Sequence, residues 1–279
     1  MRFTKMHGAG NDYVYVDCTK EEVANPGGLS KKISDRHFGV GSDGLVLICK
    51  SSVADFRMRM FNADGSEAQM CGNAVRCIGK YVFDKGLTAK TELRLETLAG
   101  VKQLTLFAEG GEVRKVRVDM GAPELHPAKI PVLMAGERAV AAPLEVDGRA
   151  FAITCVSMGN PHAVIFVEEV ERFDVRRFGA LIENHALFPE KVNVEFVERL
   201  SAAELRMRVW ERGSGETWAC GTGACAALVA ARLNNLSSET ATVHLLGGDL
   251  AVEWRKATNH VYMTGEAETV FEGEYLGNA

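Results

Sequence analysis

The sequence FRMRMFNADGSEAQMCG, residues 56–72, recurs in altered form as LRMRVWERGSGETWACG, residues 205–221. The two stretches align without a gap, and the same difference of 149 in residue number places Gly10-Asn11 on Gly159-Asn160. One register kept over separate segments is typical of an internal duplication. We therefore expect two copies of one unit, each presenting a Cys-Gly pair, with the two thiols facing each other across a pseudo-twofold cleft.

Length and composition predict a globular protein of two domains. The 279 residues can form two cores, and the hydrophobic fraction of 47% and charged fraction of 25% are typical of soluble proteins. A net charge of −5 without a basic run gives no reason to expect a nucleic-acid partner. No apolar stretch approaches the ~20 residues of a membrane helix, and no secretory signal is visible. We expect a cytoplasmic protein whose seven cysteines are reduced, without a membrane partner.

Short alternating segments dominate the chain and predict a strand-rich α+β fold. Helices are predicted at 30–36, 73–85, 174–185 and 222–233. The second and the fourth begin directly after the repeated Cys-Gly, and the fourth is rich in alanine, which allows neighbours to approach closely. We expect two pseudo-symmetric halves, each a curved, mostly antiparallel sheet or barrel around a central helix, with the active site in the cleft between them.

The boundary between the two halves is predicted near residue 120. The N-terminal half is assigned to 1–120 and the C-terminal half to 121–264. The crossover is assigned to 121–143, a stretch with four prolines and no clear periodicity. The last segment, 265–279, is expected to return to the N-terminal half.

Cys71 and Cys220 are the candidate catalytic residues, because both stand at the expected N-terminus of a helix. The helix dipole and unpaired backbone N–H groups lower a thiol pKa there, towards the range that suits a general acid or base. Gly72-Asn73 and Gly221-Thr222 offer backbone N–H donors that can bind a carboxylate. The other cysteines lie in apolar segments and are predicted to be small buried side chains: Cys18, Cys49, Cys77, Cys155 and Cys225.

A second group of polar residues lies in loops beside the repeated segments. His162 follows the second Gly-Asn pair, and Glu211-Arg212 precede the second Cys-Gly. An imidazole, a carboxylate and a guanidinium suit the zwitterion of an amino acid. Taken alone, each is more often a surface salt bridge or a hydrogen-bonded core histidine.

Other kinds of site find little support. The G-x-G-x-x-G match at 39–44 precedes the predicted strand 45–50 instead of following a strand and opening a helix, which argues against dinucleotide binding. The sequence lacks CxxC and HExxH and its seven histidines are scattered, so no metal site is predicted. No lysine lies in a recognisable pyridoxal-phosphate context.

Taken together, these motifs resemble the diaminopimelate epimerase family. The resemblance covers residues 3–273 and rests on blocks in family order: HGAGNDYV, GVGSDGLV, FNADGSEAQMCGNAVRC, MGNPH, VNVEF, WERGSGET and ACGTGACA. It implies an epimerase without cofactor that interconverts LL- and meso-diaminopimelate in lysine and peptidoglycan precursor biosynthesis. It also implies a homodimer, since Phe271 lies where some dimeric relatives place an interface tyrosine.

The resemblance implies a two-base mechanism on a small amino-acid substrate. Cys71 and Cys220 would remove and return the α-proton on opposite faces, exchanging roles with the direction of reaction. Gly72-Asn73 and Gly221-Thr222 would hold the reacting carboxylate and stabilise the charge that develops there.

The same resemblance implies roles for the remaining polar residues. Glu211 would meet the substrate ammonium and, with His162, would tune the cysteine pair. The other substrate-binding residues implied are Asn11, Asn62, Asn160, Asn193 and Arg212. Gly44 departs from the family, because many relatives carry a glutamine there that contacts substrate.

Three other interpretations stay open at this point. The chain could be another epimerase or racemase of a superfamily that includes proline racemases and phenazine-type isomerases, which a substrate panel would distinguish. It could be a thiol redox or peroxide-sensing protein that uses Cys71 and Cys220 as a switch, which proton exchange into an amino acid would exclude. It could be a non-catalytic amino-acid-binding module. Ligand binding that survives in Cys71→Ala, together with no measurable turnover by the unmodified chain, would support that interpretation.

Overall fold

A computed structural model describes residues 1–277, which form an α+β fold. The predicted fold class is confirmed. The chain divides into two compact units: unit 1 comprises Met1–Val118 and the segment from Thr264, and unit 2 comprises Asp119–Met263. Residues 278–279 of the segment expected to return lie outside the described residues. No helix among the described residues is both long and apolar enough to cross a membrane.

Unit 1 is built mainly of strands. Its strands and helices are β1 (Arg2–Gly8), β2 (Asn11–Cys18), α1 (Pro26–Ile33), β3 (Gly44–Cys49), β4 (Phe56–Asn62), β5 (Glu67–Ala68), α2 (Gly72–Asp84), β6 (Glu92–Thr97), β7 (Gly100–Glu109), most of β8 (Glu112–Gly121), and β18 (Glu268–Glu274). Helix α1 begins earlier than predicted, because the Asn25 side chain accepts a hydrogen bond from the Gly28 N–H and Pro26 occupies the first turn.

Unit 2 has the same kind of composition. Its strands and helices are β9 (Ala142–Val146), β10 (Arg149–Ser157), β11 (Pro161–Phe166), α3 (Val175–Glu183), β12 (Asn193–Arg199), β13 (Glu204–Glu211), β14 (Gly215–Thr217), α4 (Gly221–Leu233), β15 (Thr240–Leu245), β16 (Gly248–Arg255) and most of β17 (His260–Glu266). Two short 3-10 turns lie at Pro127–Lys129 and Val170–Arg172.

The strands of the two units pair in the same order. In unit 1, β1–β2, β3–β4, β4–β5 and β6–β7 are antiparallel, whereas β2–β3 and β4–β6 are parallel. In unit 2, β10–β11, β12–β13, β13–β14 and β15–β16 are antiparallel, whereas β11–β12 and β13–β15 are parallel. The repetition in the sequence therefore extends to the topology of the strands.

Each unit packs its sheet against the helix that follows the repeated Cys-Gly. Helix α4 contacts β10, β11, β12, β13, β15 and β16, and all residues from 223 to 231 are buried. Small alanine side chains permit this close approach on most sides. Helix α2 packs against β1 and β7, and a Cβ at Gly79 would lie 2.8 Å from the Leu106 side chain. Both helix N-termini are thereby fixed against the strands.

Candidate active site

Cys71 and Cys220 occupy the same position in the two units, the N-cap of α2 and of α4. Both have an extended backbone, with φ of −135° at Cys71 and −125° at Cys220. The carbonyl groups accept the first helical hydrogen bonds, from the N–H of Val75 and of Ala224. Each thiol therefore lies where the unpaired N–H groups of a helix converge.

The thiol of Cys71 is partly exposed and lies among amide side chains. Asn11 Oδ1 accepts hydrogen bonds from Cys71 Sγ at 3.3 Å and from Asn73 Nδ2 at 3.2 Å. Asn11 Nδ2 donates to Asp43 Oδ2 at 2.8 Å, which fixes the orientation of the Asn11 amide. The structure thus brings Cys71, Asn11 and Asn73 together, and Asp43 supports them from the loop before β3.

A buried arginine supports the first turn of α2. Arg76 is fully buried, and its Nη2 donates to Asn73 Oδ1 at 2.9 Å. Its other nitrogens donate to the carbonyls of Gly72 and Glu266. A positive charge therefore lies within one turn of Cys71. Sequence reasoning missed Arg76; the signal was a lone charge within the apolar run NAVRCIG.

The thiol of Cys220 is buried, with 5% of the residue exposed. It accepts a hydrogen bond from the Gly223 N–H at 3.3 Å and lies 3.5 Å from Thr222 Oγ1. Burial raises the pKa of Cys220 well above its usual value, and the charges of Glu211 and Glu195 raise it further. The prediction of a lowered pKa at this helix N-terminus is therefore wrong for Cys220, because burial and two carboxylates outweigh the N–H donor.

Glu211 shares this buried region with Cys220. Its carboxyl group accepts a hydrogen bond from Thr217 Oγ1 and lies near enough to the Cys220 thiol for each group to shift the pKa of the other. Burial raises the pKa of Glu211 above its usual value. Since two adjacent anions without water are costly, the pair of Glu211 and Cys220 is expected to retain at least one proton.

A carboxylate–imidazole pair lies behind Cys220. His162 on β11 and Glu195 on β12 are both fully buried, and His162 Nδ1 lies 2.7 Å from Glu195 Oε1. His162 Nε2 lies 3.0 Å from Asn160 Oδ1, so both ring nitrogens face oxygen atoms. Glu195 Oε2 has no hydrogen-bond partner among the described residues. Sequence reasoning missed Glu195, although a lone carboxylate in the apolar run VNVEFV was a signal.

The remaining candidate residues make protein contacts at strand ends. Asn62 Nδ2 donates to Ser66 Oγ at 3.0 Å. Asn193 is buried, donates to the Pro161 carbonyl at 2.9 Å and accepts from the Arg212 N–H at 2.9 Å. The Arg212 side chain is exposed and donates to a backbone carbonyl. In unit 2, Asn193 therefore joins the start of β11 to the end of β13.

Gly44 begins β3 in tight contact with β4. A Cβ at this position would lie 2.1 Å from the Phe61 carbonyl oxygen and 3.0 Å from the Tyr13 ring. Backbone atoms cannot give way as a flexible side chain can, so only glycine fits. The close packing of β3 against β4 therefore requires glycine at position 44, where many relatives carry glutamine.

Comparison with known proteins identifies the family. The model of a family described as diaminopimelate epimerase matches residues 3–126 and 154–270. The chain belongs to the diaminopimelate epimerase family. A diaminopimelate epimerase from Acetivibrio thermocellus is 61% identical over 274 residues, which cover 98% of each chain. Those from Desulfovibrio desulfuricans and Methanococcus maripaludis are 57% and 56% identical, covering 99% and 98% of this chain and 98% and 99% of theirs. The resemblance seen in the motifs is confirmed.

Solved structures at low identity share the fold of this family member. A hydroxyproline epimerase from Agrobacterium vitis, solved with bound trans-4-hydroxy-L-proline, matches with a TM-score of 0.70 at 16% identity, covering 98% of this chain and 91% of that one. A phenazine biosynthesis protein of the PhzF family from Bacillus anthracis matches with a TM-score of 0.72 at 17% identity, covering 99% of both. These matches concern the fold alone.

Proposed function

We propose that the chain is an epimerase that interconverts LL- and meso-2,6-diaminopimelate without a cofactor, in the synthesis of lysine and peptidoglycan precursors. One observation carries the proposal: in a member of this family, two thiols occupy equivalent helix N-termini, at Cys71 and Cys220. An α-proton is weakly acidic, so its removal requires a placed base and stabilisation of the charge that forms.

The proposed reaction moves one proton from each side of the α-carbon. In one direction, the Cys71 thiolate takes the α-proton and becomes a thiol, while the Cys220 thiol gives its proton to the opposite face and becomes a thiolate. The reverse direction exchanges these roles. The raised pKa of Cys220 supports this order, because it keeps that sulfur protonated before substrate binds.

The proposed electrophilic groups are the backbone N–H donors at the starts of α2 and α4. Gly72-Asn73 and Gly221-Thr222 would bind the reacting carboxylate, and the two helix dipoles would stabilise its increasing negative charge. The Arg76 guanidinium, bonded to the Asn73 side chain, adds a fixed positive charge beside one of them. Such stabilisation replaces the electron sink that a cofactor would supply.

The other proposed roles concern binding and protonation. Glu211 would accept the substrate ammonium and, with His162, would control the proton on Cys220; the charge of Glu211, which raises the pKa of Cys220, supports this. Glu195 would hold the His162 ring in place through the Nδ1 contact. The residues proposed to bind the rest of the substrate are Asn11, Asn62, Asn160, Asn193 and Arg212.

We also propose that the enzyme is a homodimer in the cytoplasm, where thiols stay reduced. Val270 and Phe271 on β18 are 54% and 46% exposed, large apolar side chains that a second copy could cover. Light scattering of the purified chain tests the dimer, with Phe271→Asp as the variant expected to dissociate. A monomer at all concentrations would contradict it.

Proton NMR in D₂O tests the proposed reaction. Reduced enzyme is mixed with LL-diaminopimelate without added pyridoxal phosphate, and the α-proton signal is followed as the meso isomer forms. We expect loss of the signal through incorporation of deuterium. A folded, reduced sample that exchanges no α-proton of diaminopimelate would overturn the substrate, and a panel of other amino acids would then show whether the two-thiol chemistry acts elsewhere.

A further inference from the structure

Cys18 and Cys49 form a pair of adjacent thiols in unit 1. They are the last residues of the parallel strands β2 and β3 and are direct Cα partners in the register. Both contribute to one hydrophobic cluster, Cys18 as a buried member and Cys49 as a partly buried side chain packed against it. Cys18 is buried, but Cys49 is partly exposed, so the prediction of a buried side chain is wrong for Cys49.

The surroundings of the two thiols are unequal. Cys49 lies opposite Arg57 on β4, and Arg59 lies two residues further along the same strand. The neighbouring Cys18 side chain and the positive charges of Arg59 and Arg57 lower the pKa of Cys49. The neighbouring Cys49 side chain and burial raise the pKa of Cys18. One sulfur is therefore suited to react as a thiolate, and its partner keeps a proton.

Small molecules can reach this pair. Cys18 lines a cleft of about 940 Å³ on unit 1, together with Met1, Val23 and Tyr81. The partly exposed side of Cys49 gives a second approach. Nothing in the proposed epimerase reaction uses either sulfur.

We propose that Cys18 and Cys49 are an oxidisable dithiol that hydroperoxides convert to a reversible disulfide. The Cys49 thiolate attacks one peroxide oxygen, the O–O bond breaks, and a sulfenic acid and hydroxide form. The hydroxide takes up the proton that the Cys49 thiol released on ionisation and becomes one water. The Cys18 sulfur then attacks the Cys49 sulfur, the S–O bond breaks, and the hydroxyl leaves as a second water with the Cys18 proton. Two thiols lose two electrons, and one hydrogen peroxide becomes two waters.

The backbone already satisfies the distance that this bond requires. Neighbouring strands lie ~4.8 Å apart, and disulfides join residues with Cα atoms roughly 4.4–6.8 Å apart. Partners in a parallel register project their side chains from the same face of the sheet. The disulfide would therefore form without displacement of β2 or β3.

Peptide mapping under non-reducing conditions tests the proposal. Trypsin releases residues 6–20 and 37–50 as peptides that contain Cys18 and Cys49, respectively, and no other cysteine. After brief treatment with equimolar hydrogen peroxide, we expect these two peptides joined, with loss of two hydrogen atoms, and separated again by dithiothreitol. The double variant Cys71→Ala/Cys220→Ala should give the same product, so the result does not depend on epimerase activity.

Single variants separate the two sulfur roles. Cys18→Ala should leave a Cys49 sulfenic acid that dimedone traps, whereas Cys49→Ala should leave Cys18 unoxidised. Cys155→Ala, which changes a buried cysteine of unit 2, is the matched control and should give the same linked peptide as the unmodified chain. Peptides 6–20 and 37–50 that stay reduced in folded protein while peroxide oxidises other cysteines, or that link equally to other cysteines, would overturn the proposal.

Discussion

Cys71 lies beside amide side chains, whereas Cys220 lies in the field of two carboxylates. Asn11 accepts a hydrogen bond from the Cys71 thiol, and the thiol is partly exposed. Cys220 is buried, and Glu211 and Glu195 both lie near enough for their charges to raise its pKa. The two backbones are equivalent, so the repeated unit places each sulfur and the unrepeated side chains set its proton affinity.

Two of the positions at which the units differ lie beside Cys220. The position of Glu195 in unit 2 is that of Val46 in unit 1, and the position of Gly223 is that of Ala74. A Cβ at Gly223 would lie 2.7 Å from Glu195 Oε1 and 3.2 Å from Cys220 Sγ. In unit 2, the missing methyl group at Gly223 leaves room for the buried Glu195 carboxylate. In unit 1, Ala74 and Val46 occupy the two equivalent positions with apolar side chains.

Removal of either thiol is the largest test of the comparison. Cys71→Ala and Cys220→Ala should each lower epimerisation by about 10²–10⁴-fold, the range of a placed acid or base. The α-proton exchange measured by NMR in D₂O gives the rates. Cys49→Ala, outside the proposed site, should keep the original rate. If one of the two variants kept the activity of the parent chain, a single base would act, and the two cysteines would not work as a pair.

Removal of the Glu211 charge tests the cause of the raised pKa. In a Cys71→Ala background, Glu211→Gln should lower the pKa of Cys220, because an anion that opposes the thiolate is gone. Iodoacetamide should then alkylate Cys220 faster at a given pH, with the inflection of the rate moved to lower pH. With both cysteines present, Glu211→Gln should lower turnover by roughly 10²-fold.

Glu216→Gln is the matched control for this variant. Glu216 lies on the neighbouring strand β14, where its carboxylate forms an ion pair with Arg208. It should leave both turnover and the alkylation profile unchanged. An alkylation inflection that is the same in Glu211→Gln as in the parent would contradict the assignment of the pKa shift to Glu211.

The Gly223 position offers a smaller test, measured as stability. Gly223→Ala should destabilise the chain by about 1–3 kcal/mol, since the new methyl group displaces the Glu195 carboxylate. Urea unfolding measures the loss. The effect should shrink when Glu195→Ala is also present, because the contact that it disturbs is then absent. Additive losses would show that Glu195 does not confine Gly223.

Ala74→Gly is the corresponding change in unit 1. It should cost about 1 kcal/mol, the ordinary preference of a helix for alanine over glycine. The two substitutions are opposite in chemistry at one repeated position. If Gly223→Ala instead stabilised the chain by that amount, the space at Gly223 would be larger than the structure indicates.

Local signals predicted the placement of the two thiols well. The helices predicted to begin at residues 73 and 222 begin one residue earlier in the structure, at Gly72 and Gly221. The predictions were close because a glycine-containing turn before an apolar helical face marks a helix N-terminus to within a few residues. The start of α1 was wrong, since the prediction overlooked the Asn25-Pro26 cap. The repeat in the sequence is matched by the same order of strand pairing in the two units.

Charge and burial at the site could not be predicted in the same way. The pKa of Cys220 depends on Glu211 and Glu195, which come from strands β13 and β12. The Glu195 carboxylate is in turn hydrogen-bonded to the His162 ring on β11. Each contact joins residues distant in sequence, so the helix N-terminus alone gave the wrong direction for the pKa. Single charges within apolar runs, such as Arg76, were the available indication.

The repeated ion pairs provide the finest test. Arg59 Nε lies 2.8 Å from Glu67 Oε1, and Arg208 Nε lies 2.7 Å from Glu216 Oε1. Both pairs are partly exposed, so Glu67→Gln and Glu216→Gln should each lower the unfolding free energy by only about 0.2–1 kcal/mol at pH 7.

The contribution of Glu67 to stability should depend on pH. The hydrogen bond from Arg59 lowers the pKa of Glu67 in the folded chain. The contribution of this pair to stability is therefore present above the pKa of Glu67 in the unfolded chain and is lost as the pH falls through its pKa in the folded chain. Urea unfolding of Glu67→Gln at neutral and at acidic pH should therefore show the difference from the parent chain shrinking in acid. A difference above about 1 kcal/mol between the two variants would mean that the repeated pairs, like the repeated thiols, have acquired unequal surroundings.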